Sequence, residues 1–223
     1  MRTVIRTLVA LTAGLAFLMP TPAWAPNGHI IFIADDEFHP DATRIPVAHG
    51  TWDIPETWRW CGDVGGKGDC EPGTQNPHNI REDHKLFYSG TPVEDRTPFN
   101  RKFSAGTFHY YCEVHGSLMG GMDGVVRVDM KTGSGPEGLP FAVRWASPTT
   151  RTGRVFDVHY RVGNRPWETW KTDTSKFSAV FGKNGNPEPI DDTKEYDFQA
   201  RSQRNAQSDG AVSRWSPVLE FNP

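Results

Sequence analysis

Cys112, His115 and Met122 lie close together in the chain, and His78 stands some three dozen residues upstream in a Pro77-His78-Asn79 step. A thiolate, two imidazoles and a weak thioether are the donor set of a blue-copper site, in which two histidines and a cysteine hold the metal in a plane and methionine sits far off on the axis. Soft sulfur suits Cu(I) and nitrogen suits Cu(II), so one such site tolerates both oxidation states and can pass single electrons. A second thioether, Met119, lies in the same loop and is the alternative axial donor. No His-x-His pair occurs anywhere in the chain, so a further copper centre wired to the thiolate, as an oxidase or reductase would need, has no ligands. The expectation is a single copper ion and no enzymatic activity.

Four donors this far apart in sequence need a rigid scaffold, and the pattern around them is that of an all-β chain. Short β-branched and aromatic runs alternate with Gly, Pro, Asn and Asp clusters. Strands are expected at 29–34, 45–49, 57–60, 101–103, 107–112 and 124–129. A stretch of small and turn-forming residues from Lys131 to Gly138 then reads as a linker. A second series is expected at 141–146, 155–162, 167–172, 176–181, 195–202 and 218–221, enough for a sandwich of two antiparallel sheets. The expected division is a copper domain over 26–131, a linker over 132–138 and a second, separable domain over 139–223.

The first 25 residues read as an export signal: Arg2 and Arg6 precede an apolar run from Leu8 to Met19, and Ala23-Trp24-Ala25 offers a small-x-small cleavage site. Cleavage after Ala23 is an alternative, because Pro26 is a poor residue to follow a cut. The mature chain is therefore expected in the periplasm or outside the cell, without a membrane span, since no later apolar run approaches the ~20 residues of a membrane helix. A net charge of −3, with scattered Lys and Arg, argues against a nucleic-acid partner. Three cysteines in an exported chain leave at least one free or bound. Cys61 and Cys70 bracket a glycine-rich loop and are expected to form a disulfide, whose closure would contribute roughly 2 to 3 kcal/mol. A second metal site using both thiols is the rival reading, and it lacks nearby histidines.

On these residues the first half resembles a cupredoxin of the plastocyanin, amicyanin and halocyanin kind. Ile33 to Pro40 resembles the family's first strand and its phenylalanine-x-proline turn. Pro77-His78-Asn79 matches the first-histidine step, Gly106 to Cys112 the thiolate strand, and Met122, Gly124, Val126 and Val128 the exit strand. The resemblance implies His78, Cys112 and His115 as equatorial ligands and Met122 as the axial one, in register with that strand. It also implies that Asn79 hydrogen-bonds the ligand loop and the thiolate. The departures are six residues between His115 and Met122 and a long excursion from Thr51 to Gln75, which the Cys61–Cys70 bridge would staple. The second half resembles a fibronectin type III domain through its Trp145 strand, Phe156 to Arg161, Tyr196 to Arg201 and Ser213 to Pro217, with Tyr196 as corner tyrosine.

Other chemically able residues have plainer readings. His84 sits in a charged run, and His109 lies on a strand whose alternation turns it away from Cys112. Asp35-Asp36-Glu37 reads as a solvated face rather than a calcium site. Trp58 and Trp60 read as packing residues, and Trp167, Trp170 and Trp215 suit the second core better than a carbohydrate platform. The functional expectation is a one-electron carrier between redox partner proteins, with His115 as the surface contact. The alternative is a secreted copper-binding or adhesion module in which the fibronectin-like half binds a partner or cell-surface ligand.

Overall fold

The computed structural model describes residues 30–34, 36–39, 42–45, 55–64, 70–74, 76–116, 121–133, 138–204 and 211–223. The expected export signal, Met119, and most of the strand expected at 45–49 lie outside them. The chain is all-β, and none of the described residues is helical. No helix among them is long and apolar enough to cross a membrane.

The first half begins with a hairpin of β1 (Ile30–Ala34) and β2 (Glu37–His39), whose register pairs Ala34 with Glu37. β1 also pairs in parallel with β4 (Glu56–Val64), and the other edge of β4 carries β7 (Phe99–Arg101) and β5 (Cys70–Pro72). A second sheet has the order β3-β9-β8-β6, built from β3 (Ala42–Ile45), β6 (Arg81–Glu82), β8 (Gly106–Tyr111) and β9 (Asp123–Val128). β3 and β9 run parallel, which no tight hairpin can join, so the chain must cross between sheets. That crossing brings sequence-distant loops together at one end.

Side chains of successive strand residues point to opposite faces, and β8 shows the consequence. Phe108 and Tyr110 are buried, while Thr107, His109 and Tyr111 are less so. The inward residues join Val126 and Val128 of the neighbouring β9 and meet Ile31, Ile33, Trp58 and Trp60 from the other sheet in one core. Trp58 packs edge-on against Tyr110, with ring centroids 5.4 Å apart. Trp58 and Trp60 are thus packing residues, as their pattern implies.

The second half pairs β10 (Lys131–Thr132), β11 (Phe141–Arg144) and β14 (Ser178–Phe181) in one sheet. The other sheet has the order β13-β12-β15-β16, from β12 (Arg154–Val162), β13 (Glu168–Thr174), β15 (Tyr196–Arg204) and β16 (Leu219–Phe221). Trp145, Trp170, Phe181, Tyr196 and Phe198 fill its core. Trp145 is fully buried and donates its indole N–H to Lys176 O at 2.7 Å. The Tyr196 hydroxyl accepts from the Asp191 amide at 2.8 Å, so it ties its strand to the corner five residues upstream.

The strands without a sequence signal are β2, β5, β6 and β10, while β3 and β7 meet the runs expected at 45–49 and 101–103 only at Ile45 and Arg101; none of the six is longer than four residues. Two to four residues are too few to display a period of two. β10 occupies the start of the segment expected as linker and pairs with Val143 and Arg144.

Candidate metal centre

Cys112 follows β8 in the inward phase of its alternation and is fully buried beside Tyr110. Among the described residues it is a free cysteine. Its amide donates to Met122 O at 3.0 Å, and its carbonyl accepts from the Gly116 amide at 3.0 Å. The Met122 amide in turn donates to His115 O at 3.2 Å. These three bonds close the ligand loop onto the mouth of the hairpin between β8 and β9. The closure leaves no room for side chains at its neck: a Cβ on Gly121 would lie 2.5 Å from both Gly116 Cα and His115 O.

His78 arrives from a different part of the chain and is anchored through its backbone. It exchanges amide–carbonyl bonds with Val93, 2.9 and 3.0 Å long, and its carbonyl accepts from the Trp60 indole at 3.2 Å. The side chain is 1% exposed, whereas that of His115 is 21% exposed. Val114, next to His115, is an exposed apolar residue. One histidine of the cluster is therefore internal and the other reaches the surface beside an apolar neighbour.

The three donors face one another. Cys112 Sγ lies 3.7 Å from His78 Nδ1 and 3.7 Å from His115 Nδ1, and the two Nδ1 atoms are 3.1 Å apart. A point equidistant from the three lies about 2.0 Å from each, the length of a transition-metal bond to imidazole nitrogen. The donor set therefore fits a single soft-to-borderline metal ion in a trigonal arrangement. Burial, reinforced by the neighbouring His115 and only partly offset by Asp36, pulls the His78 pKa down to about 4. His78 is thus neutral near pH 7, the form in which an imidazole can bind a metal. Met122 is buried in the same core and tied by backbone bonds to both Cys112 and His115.

Asn79 locks the His78 segment to the turn that carries Cys112 and His115. Its Oδ1 accepts from the Glu113 amide at 2.9 Å, while its Nδ2 donates to Glu113 Oε2 at 2.6 Å and to Gly90 O at 3.0 Å. Glu113 also accepts from Arg81 and, at 3.0 Å, from the Tyr88 hydroxyl. Burial pushes the Glu113 carboxyl up, but the bonds from Asn79, Arg81 and Tyr88 outweigh it and leave the pKa lowered. The residue after Cys112 is so held as a carboxylate by three partners. Glu113, Arg81 and Tyr88 carry no sequence signal, because they meet only through the pairing of β6 with β8 and the bridge between Arg81 and Tyr88.

Asp36 is the other residue absent from the sequence reading of the site. Its carboxylate, read as part of a solvated face, lies against both His78 and His115. His84 is half-exposed beside Asp83, outside the three-donor cluster. Cys61 is buried, and the pairing of Cys61 with Pro72 and Val64 with Cys70 draws the two cysteines into one hairpin. The Cys70 side chain lies outside the described ones.

No family model matches the chain, and no curated protein does. Among solved structures, a cytokine receptor complex is similar to it with a TM-score of 0.33 at 15% identity, covering 66% of this chain and 85% of that one. A likeness of that size does not bear on the metal centre.

Proposed function

We propose that this chain is an exported type 1 copper protein that carries single electrons between redox partners, with a cupredoxin-like first half and a fibronectin type III-like second half. The observation that carries the reading is the trigonal set of His78 Nδ1, His115 Nδ1 and Cys112 Sγ, spaced for one metal ion and built on a two-sheet β-scaffold. The corner contact of Tyr196 supports the reading of the second half.

Copper bound there would supply a one-electron couple between Cu(II) and Cu(I). The residues around it do the rest. Cys112 offers its sulfur from a dry core, which excludes competing water ligands and external thiols. His78 is held by its backbone and by burial, so its ring need not move when the charge changes. Asn79 and Glu113 brace the turn that carries Cys112 and His115. His115, partly exposed beside Val114, is the point where an electron enters and leaves on contact with a partner.

The test is to add Cu(II) to the exported protein and record visible and EPR spectra. The expected result is an intense thiolate-to-copper absorption that Cys112→Ser abolishes. A colourless protein, or a variant as strongly coloured as the parent, would overturn the reading.

A further inference from the structure

We propose that Asp36 is a positioning residue that orients both ligand imidazoles and lowers the reduction potential of the centre; this rests on the copper reading above. A single oxygen, Asp36 Oδ1, lies 3.4 Å from His78 Nε2 and 3.6 Å from His115 Nε2. The same two rings aim their Nδ1 atoms at Cys112. One carboxylate thus faces the outer edge of both histidines while the thiolate faces the inner edge.

A neutral imidazole carries one N–H, and a facing carboxylate favours the tautomer that directs it outward. With both protons at Nε2, both Nδ1 lone pairs are free and only 3.1 Å apart, an arrangement that repels itself until a cation enters. At 3.4 and 3.6 Å the contacts are longer than short hydrogen bonds, so the influence of Asp36 is chiefly electrostatic. A fixed negative charge this close stabilises the more positive oxidation state and so lowers the potential. Its side chain is 45% exposed, so added salt weakens the effect.

The placement of the carboxylate is built rather than incidental. Asp36 has a left-handed backbone, φ 58°, in the tight connection between β1 and β2, a conformation that Asp tolerates better than most residues. From the far side Asn76 Nδ2 donates to both carboxylate oxygens, at 3.1 and 3.2 Å. Asn76 stands two residues before His78, so the segment that delivers the first ligand also orients the carboxylate that steadies it.

The test uses Asp36→Asn, which keeps the shape and removes the charge, and Asp36→Ala. Redox titration of the copper-loaded proteins should give a higher potential in both variants, with the difference from the parent shrinking as ionic strength rises. Imidazole nitrogen NMR of the copper-free proteins should find both ligand rings protonated at Nε2 in the parent and mixed tautomers in Asp36→Ala. Equal potentials in all three proteins, or unchanged tautomers in Asp36→Ala, would overturn the assignment. A parent without the thiolate absorption would sink the copper reading instead, while the tautomer measurement would still decide the role of Asp36.

Discussion

Thr107 of β8 and Arg214 near the C-terminus exchange two backbone hydrogen bonds, each 3.1 Å long. The pairing adds a segment of the second half to the free stretch of β8, whose outer end carries Cys112. Ala105 N–H donates to Trp145 O at 2.7 Å, and the Arg214 guanidinium meets the Asp83 carboxylate at 3.0 Å. Ala211 packs in the first core, and Ala105 and Met130 pack in the second. The two halves therefore share a seam.

A truncation ending at Thr132 keeps His78, Cys112, His115 and Met122 but removes this seam. It should retain the copper spectrum and lose stability, since each backbone bond contributes roughly 0.5–1.5 kcal/mol and newly exposed apolar surface adds to the loss. Denaturant midpoints of the truncated and full chains check this. Equal midpoints would show that the seam contributes nothing, and a strongly altered spectrum would show that the second half helps shape the site.

Met122 is placed by backbone bonds to Cys112 and His115, which puts its residue at the neck of the ligand loop. Met122→Leu should raise the reduction potential of the copper-loaded protein by removing a weak electron donor, whereas Met119→Leu should leave it unchanged. Redox titration of the two variants distinguishes them. The opposite pattern would transfer the axial role to Met119.

The hairpin of β4 and β5 brings Cys61 and Cys70 onto neighbouring strands, and we expect them to be disulfide-bonded. Peptide mapping by mass spectrometry without reduction should recover one linked pair that excludes Cys112. Recovery of both as free thiols, or a second metal lost on mutating either, would contradict the pairing.

Glu56 in β4 is 2% exposed, and burial raises its pKa from 4.5 to about 8. The folded chain thus holds this proton more tightly than the unfolded one. Stability from this source is complete below about pH 4.5 and is lost as the pH rises toward about 8. His78, whose pKa is lowered, acts in the opposite sense below about pH 6.5, so the comparison belongs above that value. The copper-free protein should be less stable near pH 8.5 than near pH 6.5, and Glu56→Gln should reduce the difference. Chemical denaturation at the two pH values measures it; an unchanged difference in the variant would assign the pH effect elsewhere.

The all-β class and most of the longer strands were legible in the residues themselves, because alternation over five or more positions leaves a period that solvent and core impose. The cluster of His78, Cys112 and His115 was legible for a different reason: few side chains supply nitrogen or soft sulfur, and these three stand in the order that a metal site would require. What the tertiary structure decided are the contacts between segments whose spacing in the chain carries no period. Asp36 looked like a solvated acid because its neighbours are charged, yet the turn between β1 and β2 lays it across both imidazoles. Glu113 became part of the scaffold only when β6 paired with β8 and brought Arg81 alongside. The seam at Thr107 and Arg214 joins backbone atoms, which every residue possesses, so no side-chain pattern could announce it.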